Sequence, residues 1–333
     1  MSRRLPTIVD VARLSGVSKS TVSNVIRGSA TVSPAVRERV EAAVRELGYR
    51  PNALARQLVQ QRTSTIGVVV GDLANPFYAE LVKLLERNAD ESGYTTMIAN
   101  TDGQLEREAA RVEALLDRRV AGIAMLQFSG ERTILDQLVA EKVPVVVVSS
   151  TDPRVDSVGV DEREGIALAV QHLVRLGHRS LAYVTSPLVE ERTNRVRYES
   201  FSGVCDQLGC LQAPPLVLAP LVPAAADGLV RRLVEEGVTG FTAANDVAAL
   251  ALLESLERVG APVPRRASVV GFDGIGLTGL ARIGLTTVAQ PQDEMASVGL
   301  RLLLERIAGD PAAPPRQVLL EPRLIVRTTT AER

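Results

Sequence analysis

Lys19, Ser20, Thr21, Ser23, Asn24 and Arg27 fall on one face of a short predicted helix near the amino terminus. These residue types suit recognition. Hydroxyl, amide and cationic groups at helical spacing can bond base edges in a DNA major groove and touch the flanking phosphates. The opposite face holds Val22, Val25 and Ile26, which must point inward. A second short helix precedes it, Ile8 to Leu14, with Ile8, Val11, Ala12 and Leu14 as its apolar face. Thr7 can cap that helix with Asp10 as the capping-box acid, and Thr7 is counted among the DNA-contacting candidates as well. Gly16-Val17-Ser18 makes the turn, and Ser18 caps the second helix. Helix pairs of this kind also serve as plain packing units, so charge has to decide between the two uses.

The whole chain, 333 residues, has a net charge of −1, which hides a sharp division. Residues 1–62 contain eleven Lys or Arg and four Asp or Glu; the remainder contains 27 and 35. A basic head on an acidic body is the footprint of a nucleic-acid-binding domain joined to a partner domain. The opening decapeptide MSRRLPTIVD has no apolar run and no stretch reaches eighteen apolar residues, so neither a secretion signal nor a membrane span is expected, and the chain is predicted to be cytoplasmic. Cys205, Cys210, His172 and His178 are too few and too scattered for a zinc set; the cysteines are expected as reduced thiols, and no metal or cofactor is predicted.

Ser33, Pro34 and Gly48 bracket a third helix, whose inward stripe is Val36, Val40, Val44 and Leu47. It closes a headpiece spanning 1–50. Pro51-Asn52 can start a short hinge helix, Ala53 to Val59, within a linker at 51–62. That helix is too short to be stable alone and is expected to order only in company. From Thr65 to the end, continuous Val/Ile strands alternate with amphipathic helices, the pattern of parallel sheets covered on both faces. The strands are TIGVVVGD, YTTMIAN, AGIAMLQF, VPVVVVSS, RSLAYVTS, TGFTAAN and ASVVGFD, then LTTVAQP and RQVLLEPRLIVR. The expected fold is an α/β core of two doubly wound parallel-sheet lobes behind an all-α helix-turn-helix headpiece. The core spans 63–333, with one lobe at about 63–176 and 286–315 and the other at about 177–285 and 316–333. Ligands in such sheets bind at the carboxyl ends of the strands.

Residues 7–62 resemble the headpiece of the lactose/galactose repressor (LacI/GalR) family, and 63–330 resemble its effector-binding core, which is similar to periplasmic sugar-binding proteins. The motifs that carry the resemblance are VARLSGVSKSTVS, VSPAVRERV, LGYRPNALARQL, NPFYAEL, AANDVAAL, GFDGI and LTTVAQP. The resemblance implies that Lys19 and Ser20 read bases, and that Thr21 and Ser23 contact backbone and groove. Asn24 stands where many members have Arg and could pair with adenine instead of guanine. Val36 replaces a common Thr. In the hinge, with Asn52 also a candidate, Ala55 matches a small residue at the groove floor and Leu58 the leucine wedged into a minor-groove step, which makes DNA bending part of recognition.

In the core the resemblance implies effector binding by Arg197, with Ser200 in place of the usual Gly nearby, and by Asp246 as its partner acid. An Arg and an Asp facing each other suit vicinal hydroxyls. Helix capping is the alternative use of Asp246. Phe77 and Tyr78 could wall the pocket, and Asp161, Thr193, Asp273 and Phe128 are further candidates at strand ends. GIGLTG, from Gly274 to Gly279, fits a dinucleotide-binding spacing, but Asp273 would repel a pyrophosphate and no helix has room to follow, so turn glycines explain it better. No Ser/His/Asp set has supporting context, and the chain is not expected to be an enzyme. The reading is a sequence-specific DNA-binding repressor that answers to a small effector, such as a sugar or related polyhydroxylated metabolite. It is expected to bind a quasi-palindromic double-stranded operator as a homodimer, because one headpiece makes few base contacts and no leucine heptads follow the last strand. A solute-binding protein or a sugar enzyme on an α/β fold are the rivals.

Overall fold

The computed structural model describes residues 6–26, 32–49, 63–126, 132–185, 191–218, 226–310 and 313–333, in two compact units, Met1–Thr63 and Ser64–Arg333. The hinge candidates Asn52, Ala55 and Leu58, together with Arg27 and Phe128, lie outside the described residues.

The first unit has three helices, α1 (Ile8–Ser15), α2 (Lys19–Ile26) and α3 (Pro34–Leu47). Asp10 accepts from the Thr7 backbone N–H at 2.8 Å and from the Thr7 hydroxyl at 2.7 Å, which closes the start of α1. Gly16 and Gly48 take left-handed φ values of 68° and 61°, ending α1 and α3 where a side chain would be strained. Ser18 Oγ accepts from the Thr21 N–H at 3.1 Å and so caps α2. Val11, Val22, Val25, Val40 and Ala43 form the small core, with Val36, Val44 and Leu47 packed against it. Leu14, expected inward, is 46% exposed; Ser15 is buried instead, its hydroxyl bonded to the Val11 carbonyl at 2.7 Å. The reason is helical geometry: 8, 11, 12 and 15 share a face, and 14 does not.

The second unit contains two sheets. The first, in the order β12-β5-β4-β3-β1-β2, is wholly parallel. Its strands are β1 (Thr65–Val70), β2 (Thr95–Asn100), β3 (Ile123–Leu126), β4 (Val145–Val148), β5 (Asp156–Val160) and β12 (Gln317–Leu320). The second sheet runs β13-β11-β10-β9-β6-β7, with β8 also on β6; its edge β13 is antiparallel to β11. Its strands are β6 (Ser180–Thr185), β7 (Leu211–Gln212), β8 (Leu216–Val217), β9 (Gly240–Ala243), β10 (Ser268–Asp273), β11 (Thr286–Ala289) and β13 (Arg323–Ile325). Both are doubly wound, with the order reversing beside β1 in one sheet and beside β6 in the other. Val68, Val70, Val146 and Val148 fill the first core, Val184, Phe241 and Val269 the second.

The lobe boundaries differ from those expected. The strand Asp156–Val160 was not anticipated, and the helix after it, α7 (Glu162–Arg175), packs on the second sheet. Strand β11 also belongs to the second sheet and β12 to the first. The chain therefore changes lobe at Asp161, just after β11 and just after β12. Short connections at these points leave too little chain for a hydrophobicity pattern to mark them. The remaining helices are α4 (Pro76–Glu91), α5 (Leu105–Asp117), α6 (Arg132–Ala140), α8 (Glu191–Leu208), α9 (Asp227–Glu235), α10 (Asp246–Arg258) and α11 (Gln292–Ala308).

Candidate effector cleft and DNA-reading helix

Helix α2 presents Lys19 and Ser20 exposed, with Thr21, Ser23 and Asn24 half-buried beside them. Burial of Val22 and Val25 fixes which way this polar face turns. The Ser18 hydroxyl lies 2.7 Å from Ser20 Oγ and 2.8 Å from Thr21 Oγ1, so the first turn of the helix is pre-organised. Thr7 has its hydroxyl turned to Asp10 and acts first as a cap.

In the second unit a polar cleft opens at the carboxyl ends of both sheets. Asn75, Phe77, Tyr78 and Ser149 line it from the first lobe, and Glu162, Thr193, Arg197, Asn245, Asp273 and Gln290 from the second. The start of α4 places the first three. Asn75 Oδ1 accepts from the Phe77 N–H at 3.1 Å and caps the helix, and Phe77 meets Tyr78 edge-on at 5.1 Å between ring centres. Burial pushes the Tyr78 hydroxyl up, against a hydrogen bond with Ser149, so it stays protonated.

Arg197 projects from α8, its side chain 5% exposed. Its Nε donates to Glu162 Oε2 at 2.5 Å, Nη1 donates to the Ala244 carbonyl, and the guanidinium lies 3.8 Å above the Phe272 ring. Nη1 is 3.9 Å from Asp273 Oδ1. Burial opposes the charge on Arg197, but the Glu162 carboxylate outweighs it and the guanidinium is held charged. Burial drives the Asp273 carboxyl well above the usual carboxylate range, with Arg197 pulling the other way. Asp273 also accepts from Gln290 Nε2 at 2.8 Å, whereas the buried Gln290 Oε1 has no partner. Ser149 and Asp273 both sit at left-handed φ, 82° and 116°. Such strain is held only where surrounding structure imposes it, and it clusters at binding sites.

Asp246 does not line the cleft. It is fully buried, and its carboxylate accepts from the backbone N–H groups of Gly274 and Ile275, both at 2.9 Å, and from the Thr287 hydroxyl at 2.6 Å. Nor is it the cap of α10: Asn245 fills that place, accepting from the Ala248 N–H at 2.8 Å. The acids beside Arg197 are Glu162 and Asp273, and all three line the cleft from the second lobe, so the pairing does not span it. Asp161 is likewise a cap, for α7, through Glu164 N–H at 3.0 Å. Asn75, Ser149, Glu162, Asn245 and Gln290 were missed. Asn245 was legible as the neighbour of Asp246 at a strand end; the others follow strands or caps that only the fold brings together. Gly274 is a turn glycine as expected: φ is 75°, and a Cβ would press on Ala289.

Two doubly wound lobes sharing a polar cleft have the form of a ligand-binding core, and α1 to α3 that of a helix-turn-helix DNA-binding headpiece. The comparisons agree. Residues 7–52 match the model of "Bacterial regulatory proteins, lacI family", and 170–330 match "Periplasmic binding protein-like domain". The ribose operon repressor of Escherichia coli K12 is 34% identical over 97% of this chain and 99% of its own length. The HTH-type transcriptional repressor PurR of Aliivibrio fischeri ES114 is 32% identical over 99% of each chain. A crystal structure of the lac repressor dimer, bound to operator and the anti-inducer ONPF, superposes with a TM-score of 0.87 at 27% identity, covering 98% of this chain and 100% of that one. The chain belongs to the lacI family of bacterial regulatory proteins. Among the described residues, no helix is long and apolar enough to cross a membrane.

Proposed function

We propose that this protein is a transcriptional repressor that binds a quasi-palindromic operator as a homodimer, its DNA affinity reset by a sugar or related polyhydroxylated metabolite in the cleft. The observation that carries the effector half is Gln290. Buried polar atoms are almost always paired, with protein, ordered water or ligand, so an unpaired Oε1 lining the cleft with Arg197 and Asp273 is placed to accept from a bound ligand or the water it displaces. Hydroxyl groups answer that need, since each both donates and accepts. A ligand touching both lobes binds one lobe arrangement better than another, which is how it shifts an equilibrium. Relatives named for ribose-operon and purine regulation support the class. The two histidines bond Thr239, Thr330 and Ala331, away from the cleft, which favours a binding protein over a hydrolase.

On the DNA side, Lys19, Ser20, Thr21, Ser23 and Asn24 read bases and backbone, while Arg27, Asn52, Ala55 and Leu58 complete the contact set. Gel shift of genomic fragments, repeated across salt and with a panel of sugars, tests the whole reading. The expected result is sequence-selective binding that weakens steeply with salt and shifts with one sugar class. Binding indifferent to sequence, or to every sugar, overturns it.

A further inference from the structure

We infer that Glu162 makes the cleft selective for uncharged polyols over their phosphorylated counterparts. The inference rests on reading the cleft as an effector site. Arg197 is the one cation among the described residues that line it. That guanidinium is already engaged, with Glu162 at 2.5 Å, the Ala244 carbonyl, and Asp273 at 3.9 Å. Two carboxyl groups thus face one guanidinium, and the rest of the lining is amide, hydroxyl or aromatic. Arg192, on the exposed side of α8, does not line the cleft and donates to the Thr151 carbonyl at 3.2 Å.

The other common receptor for a phosphate is a helix N-terminus. At the starts of α4, α7 and α10, the side chains of Asn75, Asp161 and Asn245 each already bond one first-turn N–H. A phosphate would therefore meet the Glu162 carboxylate with Nε and Nη1 of Arg197 already engaged. A neutral polyol meets the same groups as acceptors for its hydroxyls, with the rest of the guanidinium as donor.

Calorimetric titration of the full-length protein with three matched pairs tests this: D-ribose and its 5-phosphate, D-glucose and its 6-phosphate, D-fructose and its 6-phosphate. For the pair that binds, the free sugar should bind at least tenfold more tightly than its phosphate. Glu162→Gln should narrow that ratio severalfold, and Glu162→Asp, which keeps the charge, should retain it; melting curves of both variants verify folding. A phosphate that binds the unaltered protein more tightly than its free sugar overturns the inference and leaves the effector reading standing. An unchanged ratio in folded Glu162→Gln removes Glu162 from the selectivity. Failure of all six probes to bind overturns the effector reading, and the inference with it.

Discussion

The buried carboxylate of Asp246 accepts the backbone N–H of Gly274 at 2.9 Å, so the first residue of α10 sets the loop that follows β10. Asp273 immediately precedes that loop and turns at φ 116° to stand beside Arg197. The approach is close: a Cβ at Gly271 would collide with Asp246 Oδ1, so glycine alone fits there. Asp246 thereby acts on the cleft through backbone, without lining it.

Replacing Asp246 by Ala leaves the Gly274, Ile275 and Thr287 donors unpaired in the interior. The expected loss is about 3 kcal/mol, from roughly 1–3 kcal/mol per stranded group with partial relaxation, read by urea unfolding. Burial raises this carboxyl to about 6, above the 3.8 of an exposed Asp. The native state thus holds the proton more tightly, and this group's favourable contribution, full below pH 3.8, is lost as pH rises through about 6. Asp246→Asn should remove that slope from the stability profile.

Arg197→Ala should abolish the ligand response and leave operator binding intact, because it removes the cleft's guanidinium and exposes Glu162 and Asp273 to each other. Arg197→Lys keeps a charge but not the planar fork. It should still weaken binding by about 1–3 kcal/mol, measured by titration alongside gel shift. Normal response in Arg197→Ala would move the effector site elsewhere.

His178 is held between Thr239 Oγ1 at 2.9 Å and the Ala331 carbonyl at 3.2 Å, and His172 bonds Thr330 Oγ1 at 3.0 Å. Together they clasp the carboxy-terminal segment to the second lobe. Burial lowers both below the ordinary 6.5. The folded state therefore binds fewer protons than the unfolded one, and the stability they contribute is present above pH 6.5 and lost as pH falls through their lowered values. Melting temperatures of the parent and the His172→Gln/His178→Gln double variant, compared from pH 7.5 down to 5, should converge on acidification.

Asp156, 1% exposed, receives Arg306 through Nε at 3.0 Å and Nη2 at 2.9 Å, and Arg316 Nη2 at 3.0 Å. These contacts tie β5 to α11 and to the start of β12. Arg306→Ala breaks a mostly buried pair and should cost about 3–5 kcal/mol. A double variant, Asp156→Asn with Arg306→Met, should recover part of that loss in denaturant titrations.

Much of this was legible from spacing alone. Val22 and Val25 at helical intervals dictated which face of α2 is buried and hence that Lys19 and Ser20 face outward. Continuous Val runs announced strands buried on both faces, and the charge division separated headpiece from core. These are local signals, carried by hydrophobic period, caps and glycine, and physics within a few residues sets them. The resemblance in turn marked Arg197 and Asp246, and position at a strand end marked Asp273.

Only the tertiary structure decided that Glu162, and Asp273 rather than Asp246, stand beside Arg197. Asp246 and Asp273 are both acids at strand ends, and nothing in their neighbours tells them apart. The difference arises because β10 and β11 pair in parallel, which brings Thr287 and the Gly274 loop onto Asp246 and leaves Asp273 facing the cleft. The lobe crossings at Asp161 and beside β11 and β12 were hidden for the same reason. Strand partnership is a long-range choice made by burying whole faces together, and no short stretch of sequence contains it.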